Sequence, residues 1–221
     1  MTPGRTVAAI LRLLLVALVL LPGAGAVQAK GDVDCTPFGL GQDPPQPLQP
    51  VSLPPASKCN TRTSHGLPLP DPKCTPGAVD PDLTLETLQT PGFTTKCVRD
   101  TATSAHDKAQ TYTWYDIPHP DSNSGAAQVC EIDHLISLEL GGADTLDNLW
   151  PQCGPYDVAR RYRYFVMKDL VENYLARQVK QGIIDLSQAQ KGIADDWTQY
   201  LDGAIEECGA KCTDYRNMLG N

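Results

Sequence analysis

The sequence predicts an α+β domain behind a proline-rich extended segment. Three observations carry this: alternation of polar and apolar residues along Val129–Asp133, a second short β-like run at Asn148–Gln152, and helical periodicity through the last third of the chain. With 221 residues, 41% of them hydrophobic and 20% charged, the chain can bury one sizeable core. Beyond the N-terminus no apolar run approaches the roughly 18 residues of a spanning helix, which excludes a multi-span membrane protein. A formal net charge of −8 excludes a histone-like coat held to nucleic acid by bulk positive charge. A local basic groove remains compatible with it.

Residues 1–29 read as a secretory signal peptide. Arg5 and Arg12 accompany the apolar stretch Val7–Leu21, and small residues follow, so that Ala24-x-Ala26 and Val27-x-Ala29 both fit as cleavage sites. The stretch is short for an uncleaved bilayer anchor. Removing it takes away two arginines and no acid, so the formal charge falls from −8 to −10. All eight cysteines (35, 59, 74, 97, 130, 153, 208 and 212) lie after it. An even count in an exported chain reads as up to four disulfides, whose pairing the spacing does not assign. No Cys-x-x-Cys occurs, which argues against structural zinc. The localisation expected is secreted or extracellular, with periplasm or cell envelope as alternatives, and no stable membrane insertion after signal cleavage.

Residues 30–73 read as an extended linker, because the ten prolines within 36–73 sustain neither a helix nor a central strand. The folded domain is expected at 74–221. Thr84–Leu88 predicts a short helix and Phe93–Val98 a strand. Thr103 or Ser104 can cap a helix over Ala105–Tyr115, with Tyr112, Trp114 and Tyr115 turned to the core, and Ile117-Pro-His-Pro ends it. His119 there reads as a loop residue rather than a ligand. After the strand at 129–133, Gly141-Gly142 marks a turn, and Pro151 and Gly154-Pro155 stop the second strand. Val166, Met167, Leu170, Val171, Tyr174 and Leu175 then form one apolar helix face. Lys168, Asp169, Glu172, Asn173 and Ala176 fall on the other, and Gly182 ends the helix. Ser187-Gln-Ala-Gln190 is a capping-box pattern opening a further helix that buries Ala189, Ile193, Trp197, Tyr200 and Leu201.

The feature that carries chemistry is Glu131-Ile-Asp133-His134, followed by Gly141-Gly142 and Asp147-Asn148-Leu-Trp. Neighbouring strand residues point to opposite faces, so Asp133 and His134 can converge only where the strand ends. A carboxylate there can hold a hard divalent cation. An imidazole beside it can take a proton from an attacking water near neutral pH. Asn148, with both a donor and an acceptor, can lock the intervening loop. Arg160, Arg161, Arg163 and Lys168 lie within Val158–Lys168, a stretch with no acid, and can meet substrate phosphates; the competing reading is a solvated helix face.

Residues 131–152 resemble the HNH, or ββα-metal, endonuclease family, and the similarity runs more widely from about residue 95 to 200, in the manner of a secreted bacterial branch. The resemblance implies a small ββα-metal module packed among helices. It implies His134 as general base, Asn148 as the residue that orients the loop, and Asp133 as ligand to a divalent metal, most naturally Mg²⁺, with Mn²⁺ or Zn²⁺ as alternatives. The family's third motif position is usually a His or Asn on the helix, but no His follows His134. Asp157, Asp169, Glu172 and Asn173 compete for that place. Zinc-ribbon cysteines are absent; disulfides could replace their bracing, and a Cys130–Cys153 bond would staple the motif. The implied activity is weakly specific hydrolysis of DNA, or also of RNA. The alternatives are an inactive, disulfide-braced binding scaffold and a secreted nuclease toxin with an immunity protein as partner.

Overall fold

An apolar stripe on one long helix organises the core. Met167, Val171 and Leu175, spaced four residues apart, are wholly buried, and Ile193, Trp197, Ala204 and Ile205 close over them. The computed structural model describes residues 1, 34–40, 46–49, 58–99 and 105–219. The expected signal peptide, Met1 apart, and the proposed capping residues Thr103 and Ser104 lie outside them. The body is mixed α and β, from residue 33 onward.

In chain order the strands and helices are β1 (Gln46–Pro47), β2 (Arg62–Ser64), β3 (Leu67–Leu69), β4 (Ala78–Val79), α1 (Leu85–Gln89), α2 (Ala105–Trp114), β5 (Cys130–His134), β6 (Leu149–Cys153), α3 (Tyr164–Lys180), α4 (Leu186–Asp196), α5 (Leu201–Cys208) and α6 (Thr213–Leu219). The strands pair as three antiparallel two-stranded sheets, β1 with β4, β2 with β3 and β5 with β6. Thr84 caps α1 by accepting from the Thr87 N–H, as its sequence position suggests. Among the described residues no helix is long and apolar enough to cross a membrane.

Several expectations need correction. Residues 58–73 are not a loose linker. His65 and Gly66, both at positive φ, form a two-residue turn, and β2 and β3 close a hairpin whose Leu67 and Leu69 join the main core. Pro68 is tolerated because a two-stranded ribbon has only edges, and its carbonyl accepts the Trp197 indole N–H at 2.9 Å. The strand expected at 93–98 is a 3-10 turn, Thr95–Cys97, because the Thr94 hydroxyl accepts from the Lys96 N–H and no strand among the described residues pairs with it. Helix α4 opens at Leu186 with Asp185 before it, so Ser187 falls inside the first turn rather than at the cap. On α3, Ala176 and Lys168 turn inward instead of to solvent. Pro151 sits within β6 and does not end it.

Four disulfides join Cys35–Cys97, Cys59–Cys74, Cys130–Cys153 and Cys208–Cys212. Cys130 and Cys153 are direct cross-strand partners of the β5–β6 hairpin.

Candidate functional site

The β5–β6 hairpin delivers Asp133 and His134 to one place. His134 is the last residue of β5, opposite Leu149, and Asp133 lies opposite Trp150. Beyond them the chain leaves the ladder, and the Asn148 side chain ties the loop together. The Asn148 carboxamide oxygen accepts the Ile136 N–H at 2.9 Å. Its amide donates to the carbonyls of Ile136 at 2.9 Å and Ala143 at 2.8 Å. The side chain is fully buried, so all three bonds form away from water. Gly142 is needed in the same loop, because a Cβ there would stand 1.9 Å from the Ile136 carbonyl oxygen.

Asp133 and His134 line one cleft with Glu131, Asp169, Glu172 and Asn173. His134 Nε2 lies 2.8 Å from Asp144 Oδ1, and both side chains are buried. An ionised carboxylate only accepts, so Asp144 favours a ring hydrogen on Nε2; in the neutral ring the lone pair is then on Nδ1. Lys168 reaches up from α3 beneath the strand end. Its ammonium donates to the His134 carbonyl at 2.6 Å, hydrogen-bonds Glu172, and stands 2.9 Å from Asp133 Oδ2. That last contact is an ion pair rather than an aligned hydrogen bond.

The electrostatics follow from crowding acids into a half-dry cleft. Burial pushes Glu131 up to about 7, helped by the charges of Asp133 and Asp169. Burial pushes Asp169 up to about 6, again with Asp133 adding to it. Burial raises Glu172 as well, with Lys168 acting in the opposite direction. Burial works against the Lys168 charge, but Asp133 and Glu172 outweigh it and hold the ammonium protonated.

The structure separates the residues singled out from the sequence. Asp133, His134, Asp169, Glu172 and Asn173 meet at the cleft; Asp157 is exposed and is not part of its lining. Lys168 is wholly buried and therefore cannot meet a phosphate, because its ammonium is committed to the strand end. Arg163 is also buried, at the start of α3, and does not present itself to solvent. Arg160 and Arg161 are exposed. The Arg160 guanidinium grips Gln128 Oε1 at 3.0 and 2.8 Å, and Gln128 in turn donates to Glu131 at 3.2 Å, which links the basic segment to the cleft. Arg161 lies 3.8 Å from Asp214.

Sequence reasoning missed Asp144, Ser137 and Arg99. Asp144 had a readable signal, an acid two residues past the Gly-Gly turn that returns the loop toward His134. Ser137 and Arg99 line the cleft, but Ser137 lies within 131–152 at none of the positions singled out there, and Arg99 arrives from a distant segment.

No family model, no curated protein and no solved structure matches the chain.

The donor set does not fit the divalent metal that the resemblance implies. Asp133 is ion-paired to Lys168 and His134 Nε2 is bonded to Asp144. Among the described residues no group of three or more His, Cys, Asp or Glu is arranged to hold a metal ion.

Proposed function

We propose that the chain is an exported endonuclease of low sequence specificity that hydrolyses phosphodiester bonds of DNA, with RNA as a second polymer. The observation that carries this reading is the buried His134–Asp144 pair on the wall of an acid-lined cleft, at the end of a strand whose loop Asn148 locks. Asp144 orients the imidazole, and Nδ1 accepts a proton from water as the water oxygen bonds to phosphorus. The bond from phosphorus to the leaving ester oxygen breaks, and that oxygen takes a proton. Glu131, held near 7 and lining the same cleft, retains a carboxyl proton to give. Arg99 and the Arg160–Gln128 pair supply positive charge for the substrate backbone without reading sequence. The four disulfides and the signal-like N-terminus support export.

The test is incubation of the oxidised protein with plasmid, single-stranded DNA and RNA, each in Mg²⁺, in Mn²⁺ and in EDTA. Cleavage that disappears in His134→Ala supports the assignment. No cleavage of any polymer in any condition refutes it. A second reading, the inactive disulfide-braced scaffold, is favoured by one observation, the Lys168 ammonium on Asp133. It expects binding of a polymer without a change in its length.

A further inference from the structure

We propose that the Lys168 ammonium is the resident cation of this cleft, so that the site works without a divalent metal. The inference rests on the endonuclease reading above. Three oxygens surround the ammonium: the His134 carbonyl at 2.6 Å and Glu172 accept hydrogen bonds, and Asp133 Oδ2 at 2.9 Å is its ion-pair partner. Lys168 is 0% exposed, so it has no water to retreat into. It stands on α3 one turn before Glu172 and ties that helix to the end of β5. A divalent ion bridging Asp133 to α3 would have to occupy this same place. It would meet a fixed positive charge about 3 Å from the carboxylate oxygen it needs, and displacing that charge would leave the buried His134 carbonyl without its donor.

Lys168 is therefore a positioning residue. It fixes the Asp133 carboxylate and the His134 backbone together, which is the alignment a metal would otherwise impose. It does not touch the substrate. The step it supports is simple hydrolysis: the water oxygen bonds to phosphorus, the water proton passes to His134, the ester bond to phosphorus breaks, and the leaving oxygen is protonated. No electron changes hands, and water is the one co-reactant.

The experiment uses the full oxidised chain in two parallel measurements. The first is cleavage of plasmid and single-stranded DNA after exhaustive EDTA treatment, with and without added Mg²⁺. The expected rates differ by less than twofold. Activity that EDTA abolishes and Mg²⁺ restores overturns the inference while leaving the endonuclease reading intact. The second is a Mn²⁺ titration followed by electron paramagnetic resonance. The wild-type chain is expected to bind no stoichiometric Mn²⁺, whereas Lys168→Met, which frees Asp133 and Glu172, is expected to gain a site. Stoichiometric binding to the wild type that Asp133→Asn removes overturns the inference. This arm needs no activity, so it decides the point even where no polymer is cut. It also decides it on the wild type alone where Lys168→Met does not fold.

Discussion

Raising the pH from 5 to 8 should weaken the fold, and the cleft acids set the size of the effect. Glu131 and Asp169 ionise near 4.5 and 3.8 in an unfolded chain but are pushed up to about 7 and about 6 when folded. Between those values the folded chain holds protons that the unfolded chain has released. Stability from these groups is therefore complete below the unfolded values and is lost as the pH climbs through the folded ones. At about 1.4 kcal/mol per pH step, each acid is worth at most about 3 kcal/mol. Both keep some contact with water, and screening cuts this by roughly half; of the remainder, about 2 kcal/mol for the pair falls between pH 5 and 8. Asp196 works in the opposite direction. Burial alone would raise it, but bonds from Ser64 and Thr198 prevail and hold it below its ordinary 3.8, so it titrates outside this window. The assay is urea unfolding at pH 5, 6, 7 and 8, at constant ionic strength with disulfides intact. The double variant Glu131→Gln/Asp169→Asn should flatten the slope. A wild-type stability that is level or rises from pH 5 to 8 refutes the reasoning.

Asn148→Ala strands three buried backbone groups and should cost about 3 kcal/mol or more in urea unfolding; a loss under about 1 kcal/mol would mean that the loop holds itself. Gly142→Ala drives a methyl into the Ile136 carbonyl and should destabilise by at least about 2 kcal/mol, read by thermal melting. Ser137→Ala should leave stability unchanged or raise it by about 1 kcal/mol, since its buried hydroxyl has no hydrogen-bond partner among the described residues and caps nothing; a lowered melting temperature would reveal a contact it does make. Asp144→Asn offers the ring a donor as well as an acceptor and should lower cleavage by about a hundredfold or more with little loss of stability. Unchanged cleavage would remove Asp144 as the group orienting His134.

Local signals read well. Period-two alternation located β5, helical spacing located α3, and the need for a donor and an acceptor on one side chain located Asn148. What failed was non-local. Lys168 looked like a solvent-facing base because nothing in the sequence near it shows Asp133 arriving from 35 residues upstream to draw it inward. Leu67 and Leu69 were hidden among prolines, whose local meaning is extended chain. Their burial depends on helices more than a hundred residues later. Asp157 was one of four candidates for the third motif position, and the local sequence cannot show which way the chain turns after Gly154 to leave it exposed.

The hairpin at 62–69 sets where an autonomous folding unit begins. A shortened chain starting at Cys74 would keep every helix and both strands of the cleft, yet it would lose the roof over Trp197. The indole N–H would have no acceptor in a dry interior, and the side chains that met Leu67 and Leu69 would face water. Cys74 and Cys97 would both be left without their partners Cys59 and Cys35, as thiols free to couple two molecules. Such a fragment should be sticky and prone to covalent dimers, so loss of activity in it would report on solubility rather than chemistry.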